Sequence, residues 1–332
     1  CVKNAPCYEV ERGEVMKKTW YLIIGVVLLV IGCIAYGYHE HHKPKTAQEL
    51  KTVRVAYLPI THALPVFATK ELETADGPVH VELVKYGSWP ELMDALNTGK
   101  VDAASVLVEL GVKAREQGID VRAAALGHTE GNIIIVNKDI NSVQDLKGKS
   151  FAIPHKQSTQ KILVDLMLEK AGLSEKDVQI VEMSPPEMPS ALSVGQIAGY
   201  SVAEPFGSLA LEMGTGKVFE DPDHLWHDNI CCALVFNGQF VDEHHDLAKA
   251  FTKAYLDAGT YLDEHPKAQE EISSKYMKFN DSVIERSLKV IGFKDLALTE
   301  DRYNALVHHM THIDLIKKVP SYSEFVDTSL LP

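Results

Sequence analysis

Three histidines, His62, His128 and His155, each follow a separate apolar run, and Glu204 follows a fourth. Neutral imidazoles can donate to a carboxylate, sulfonate or nitrate oxygen, and several imidazoles with a carboxylate can hold a transition metal. Around them the sequence sets Tyr57, Thr61, Ser88, Trp89, Ser105, Gln157, Ser158 and Thr159, a group rich in hydroxyls. Ser88 and Ser158 open helical periods, where free backbone N–H groups can meet an anion and a serine also caps the helix. Trp89 could wall an organic ligand or pack with Leu92 and Met93 on one helix face. Together these residues predict a polar pocket for a small solute, with anion and metal both open.

The sequence does not point to catalysis. A catalyst needs a nucleophile, a neighbouring base and an oriented third group. No G-x-S-x-G, P-loop, G-x-G-x-x-G or H-E-x-x-H pattern supplies one, so neither an enzyme nor a bound cofactor is expected. A net charge of -13 argues against a nucleic-acid footprint and against general attraction to anionic membrane. Cys231 and Cys232 are adjacent in an apolar run, with neither zinc spacing nor a redox pair, and read as buried small hydrophobes rather than ligands.

The elements that must position these residues alternate short apolar runs with helical periods, which predicts α/β units around mostly parallel sheets. Val53–Leu58 and Val79–Tyr86 read as strands, and Ser88 with Glu91 reads as a capping box before a helix that Gly99 stops. An offset of 96 positions aligns Pro90, Glu91, Ala95, Leu96 and Gly99 with Pro186, Glu187, Ala191, Leu192 and Gly195. Ser105, Val106 and Gly111 align likewise with Ser201, Val202 and Gly207, and two similarly built lobes follow. Residues 52–137 and 229–332 are expected to form lobe 1 and residues 138–228 lobe 2, with two crossovers making a hinge. The helices near the C-terminus are expected on the outside of lobe 1.

At the N-terminus, Met16, Lys17 and Lys18 precede an apolar stretch from Trp20 to Ile31, as in a secretory signal. Met16 reads as the start, with residues 1–15 untranslated. Val30-Ile31-Gly32-Cys33 resembles the lipobox of bacterial lipoproteins, which implies that Cys33 is diacylated and that residues 1–33 are lead and signal. An uncleaved membrane helix over Thr19–Tyr38 is the competing reading. Residues 34–51, with His39, His41 and His42, read as a flexible tether.

Several segments then resemble the nitrate, sulfonate and taurine class of ABC-importer substrate-binding proteins. They are Tyr57-Leu58-Pro59-Ile60-Thr61-His62, the stretch Trp89 to Asp102, Gly127-His128-x-x-Gly131-Asn132, Glu204-Pro205-Phe206, and Trp226 followed by Cys231-Cys232. The resemblance implies a two-lobe type II periplasmic binding-protein fold and capture of a small, anion-like solute by hinge closure. It also implies permease and ATPase partners, a monomer, and a lipid-anchored place on the extracytoplasmic side of the cell membrane. Ala198 stands in lobe 2 where Asp102 stands in lobe 1, a departure expected to affect a turn. Two alternatives remain: a metal-capturing lipoprotein using His62, His128, His155 and Glu204, or a protein like the thiamine-pyrimidine-precursor binding proteins and synthase, which Cys231-Cys232 resembles in part.

Overall fold

Thr52–Tyr57, His80–Lys85, Ala103–Leu107 and Val121–Leu126 are short runs rich in Val, Leu and Ala, and they form strands β1 to β4. A computed structural model describes residues 51–332 together with residues 20, 21, 24, 25, 28–30 and 32. Cys33 and residues 34–50 of the expected tether lie outside the described residues. Among the described residues no helix is long and apolar enough to cross a membrane.

The remaining strands are β5 (Thr129–Glu130), β6 (Asn132–Asn137), β7 (Ser150–Ile153), β8 (Gln179–Glu182), β9 (Gly199–Ala203), β10 (Gly216–Glu220), β11 (Cys232–Asn237) and β12 (Ile291–Gly292). They build two five-stranded sheets, β2-β1-β3-β11-β4 and β8-β7-β9-β6-β10, plus a small β5-β12 pair. The sheets share one plan. β1 runs parallel to β2 and β3 as β7 runs parallel to β8 and β9, and each sheet takes one antiparallel strand, β11 or β6, next to its centre.

The sequence repeat marks this shared plan. The helix Trp89–Asn97 leads through Gly99 at φ +70° into β3, and the helix Met188–Ser193 leads through Gly195 at φ +73° into β9. Only glycine adopts such a backbone without steric cost, so the two turns fix where each helix ends and each central strand begins. Half of the expected capping box is present, since Ser88 Oγ accepts from the Glu91 N–H.

Two expectations change. β6 pairs with β9 and β10, so the first crossover lies at residues 127–131 and not after Asn137. An apolar run marks a buried strand, but its own sequence cannot say which sheet receives it. The C-terminal helices also touch both lobes. Tyr276 stacks on Phe67 at 4.6 Å, while Arg286 meets Glu212 at 3.5 Å and His312 meets Glu169 at 3.1 Å. Phe236 on β11 and Phe251 and Phe325 on the C-terminal helices are fully buried, and each such ring contributes roughly 1.5–3 kcal/mol.

Candidate functional site

The candidate site lies at one end of the strands of the first sheet, because β11 runs antiparallel to β3 and β4 and its start therefore lies beside their ends. Ala233 pairs with Leu126, which brings Cys231 and Cys232 alongside Gly127 and His128. The short helix Thr61–Ala63 after β1 delivers His62 to the same point. The metal-capable side-chain atoms of His62, His128, Cys231 and Cys232 all lie within 4.8 Å of one another, and all four residues are buried.

His62 Nε2–H reaches the Gly131 carbonyl at 2.9 Å, which leaves Nδ1 as the lone-pair nitrogen, 3.5 Å from Cys232 Sγ. The two imidazoles stack with centroids 3.5 Å apart. His128 Nε2 accepts from the Cys232 N–H at 3.3 Å, and Nδ1 is buried without a partner among the described residues. Burial, and next the charge of His62, depress the His128 pKa to about 4. Burial alone would raise the Cys231 thiol, but Cys232, His62 and His128 outweigh it and hold Cys231 well below the ordinary value. Cys232 is pushed up, first by burial and then by Cys231.

The second lobe closes over this group. Gln160 Nε2 reaches Asn132 Oδ1 at 2.7 Å and Cys231 Sγ at 3.3 Å, and Asn132 in turn donates to Asn229 Oδ1 at 3.0 Å. Thr61 gives both its N–H and its hydroxyl to the Glu204 carbonyl, each at 3.0 Å, a direct link between the lobes. Thr159 donates its hydroxyl proton to the Ile230 carbonyl at 2.7 Å and also contacts the buried Glu109. Burial, followed by the Cys231 charge, pushes the Glu109 pKa well above the usual carboxylate range. A protonated Glu109 can then donate to Thr159, whose own proton is already committed.

The remaining predicted residues take other positions. Glu204 is buried and its two oxygens accept from Ser208 Oγ at 2.8 Å and Ser208 N–H at 2.9 Å, so its carboxylate serves its own helix start. Burial raises its pKa against those two bonds. His155 is half-buried, and its Nδ1 accepts from the Gln157 N–H at 2.9 Å. It is not one of the four grouped residues, and burial lowers its pKa. Ser88 and Ser158 cap helices, Ser158 accepting from the Lys161 N–H at 3.1 Å. Ser105 sits inside β3 opposite Leu234, Trp89 is 4 % exposed in the core, and Tyr57 packs edge-on against Phe67. His155 and Glu204, the other members of the alternative metal set, are thus not among the four grouped residues, where Cys231 and Cys232 stand beside His62 and His128 instead. The cysteines are buried as expected, but against imidazoles rather than among hydrocarbon alone.

Beside the cluster, Gly131 and Asn132 line a cavity of about 420 Å³ whose walls carry Glu130, Glu220, Asp221 and Asp223 against Lys289. Gly131 has φ +82°, and a Cβ there would stand 2.8 Å from Ile291 Cδ1 and 3.0 Å from His62 Nε2, so a larger residue would strain the turn and crowd the His62 ring.

The sequence profile of the NMT1-like family matches residues 46–276. The putative aliphatic sulfonates-binding protein of Bacillus subtilis is 28% identical over 285 residues, covering 82% of each chain. The nitrate import ATP-binding protein NrtC of Synechocystis is 25% identical over 239 residues, which are 65% of this chain and 36% of that protein. This chain therefore spans only about a third of NrtC. Among solved structures, a ligand-binding component of an ABC-type import system from Staphylococcus aureus, with zinc bound, superposes with a TM-score of 0.80 at 35% identity. It covers 84% of this chain and 97% of that one.

Proposed function

Because the chain belongs to the NMT1-like family, we propose that it is the solute-capture component of an ABC importer, binding its solute between two lobes rather than turning it over. The observation that carries this reading is the pair of sheets with one strand order, joined by two crossovers and meeting over a buried polar site. Such a frame closes on a ligand by hinge motion, and the ligand adds its contacts to those between the lobes. The relatives named above support the class. One is a putative aliphatic sulfonates-binding protein and another an ATP-binding protein of nitrate import.

In this reading the captured solute passes to permease and ATPase subunits, and the protein works as a monomer on the extracytoplasmic side of the membrane. The lipobox-like Val30-Ile31-Gly32-Cys33 supports an anchor at Cys33, since two acyl chains give stable attachment where one gives only marginal binding. Replacing Cys33 with serine should release the protein from the membrane fraction, and unchanged retention would remove the anchor from the proposal.

The test of capture is a melting-point screen of the purified chain against nitrate, taurine, alkanesulfonates, bicarbonate and metal ions. A true ligand at about 100 times its Kd stabilises by roughly 2.7 kcal/mol. Scattering from the same samples should show a more compact particle with that ligand. If no solute shifts the melting point, the capture reading fails.

A further inference from the structure

We propose that His62, His128, Cys231 and Cys232 form a binding site for one divalent, thiophilic metal ion of tetrahedral preference, of which zinc(II) is the type. The inference rests on the capture reading and names the class of solute that the site takes.

The donor set is the first argument. Two imidazole nitrogens and two sulfurs are the N2S2 composition that tetrahedral thiophilic ions prefer. Here the four donors already lie within 4.8 Å of one another. Metal-bound histidines commonly give their second nitrogen to a carbonyl, which fixes tautomer and ring orientation. His62 does this through Gly131 and so turns Nδ1 toward Cys232 Sγ. The lone pair of His128 is on Nε2, which meets only the Cys232 N–H at 3.3 Å, and Gln160 Oε1 beside Cys231 is buried with no partner among the described residues.

Charge is the second argument. Burying an uncompensated ion in a protein interior costs many kcal/mol. A divalent cation that displaces one proton from each thiol is held by two thiolates and two neutral imidazoles, so the buried site has no net charge. Nitrate or a sulfonate in the same place would meet no uncommitted buried arginine or lysine among the described residues and would face the Glu109 carboxyl nearby. The buried Lys161 ammonium is committed to Asp165 and Glu175. The neighbouring cavity also favours a cation, because four carboxylates oppose Lys289 at its walls.

Access is the third argument. All four ligands are buried and Gln160 of the second lobe covers Cys231, so an ion reaches the site only when the lobes part.

To test this, the purified full chain, reduced and freed of metal, is titrated with cobalt(II) and then with zinc(II). We expect a thiolate-to-cobalt charge-transfer band, its loss on adding one zinc per chain, and release of two protons per zinc in weak buffer. Cys231→Ser and Cys232→Ser should each abolish or weaken the band and lower zinc affinity at least about 100-fold, and His128→Gln about 10- to 100-fold. Circular dichroism melts identify any variant that fails to fold, and Cys232→Ala, which keeps a small apolar side chain, then carries the test. Cys1, Cys7 and Cys33 are also thiols, so the band is assigned to this site by its loss in the Cys231 and Cys232 variants.

The proposal is overturned if no such band forms, or if folded cysteine variants bind zinc like the parent. Displacement of cobalt by copper(I) while zinc is inert overturns the divalent assignment. If zinc gives no shift but nitrate, taurine or an alkanesulfonate stabilises the chain, the metal inference fails and capture stands. If nothing stabilises it, both fail.

Discussion

Glu109 follows β3 and Glu204 follows β9, so the two hold nearly matching stations in sheets of one strand order. Both are buried, but their surroundings differ. Glu204 is satisfied by two donors of Ser208 at the start of its own helix, whereas Glu109 has Thr159 alone and one oxygen without a partner among the described residues. The rim differs in the same way. The Asp102 N–H bonds the Arg54 carbonyl at 2.9 Å as the Ala198 N–H bonds the Ser150 carbonyl at 2.8 Å. Only in the first lobe does a carboxylate add bonds to the Arg54 backbone and guanidinium. The backbone plan is duplicated and the polar equipment is not. The first lobe carries the imidazoles and thiols, and the second supplies amides, hydroxyls and carbonyls that close over them.

Five substitutions can break or sharpen this comparison. Ser208→Ala should have the largest effect, because it removes the hydroxyl donor from a buried carboxylate in the second lobe. Hydrogen bonds to charged groups are worth about 1.5–3 kcal/mol, and urea unfolding near neutral pH should show a loss in that range. A loss below about 0.5 kcal/mol would mean that Glu204 is held by other means.

Gly207→Ala and Gly111→Ala alter the two members of one repeat pair. A Cβ at 207 would lie 2.2 Å from Ile133 Cγ2, and one at 111 would lie 2.9 Å from the Phe325 ring. Overpacking of this kind costs about 1–3 kcal/mol, with the larger cost expected at 207. The reverse order in urea midpoints would contradict the packing described for the two lobes.

Asp102→Ala tests the rim. Arg54 is 40% exposed at its side chain and water can replace part of what it loses. A destabilisation of about 1 kcal/mol is expected, measurable by thermal melting, and high salt should reduce the difference.

Glu109→Gln should have the smallest effect and is read through its pH dependence. The folded chain keeps the Glu109 proton to higher pH than the unfolded chain does, because burial raises the pKa. Stability is therefore lost as pH rises from the usual glutamate value, about 4.3, through the raised one. The variant lacks that loss, so it should match the parent at low pH and gain on it as pH rises. Parallel unfolding curves at all pH values would show that Glu109 ionises normally.

Much of this architecture is local and was legible in the chain. The helix, glycine turn and strand that repeat at an offset of 96 are set by apolar period and by the backbone freedom of Gly99 and Gly195. His62 and His128 were legible as candidates because each follows a strand and is polar where packing alone would favour hydrocarbon. Pairing across the sequence was not legible. The position of β6 in the second sheet depends on partners 61 to 71 residues away, as Asn137 N bonding Ala198 O at one end and Asn132 facing Ala203 at the other illustrate. The cysteines show the same limit most clearly. Their sequence gives two small thiols in an apolar run, and only the antiparallel insertion of β11 between β3 and β4 brings them against His62 and His128. A periodic pattern fixes which face of an element is buried, whereas the chemistry of a site depends on which distant strand ends share that buried space.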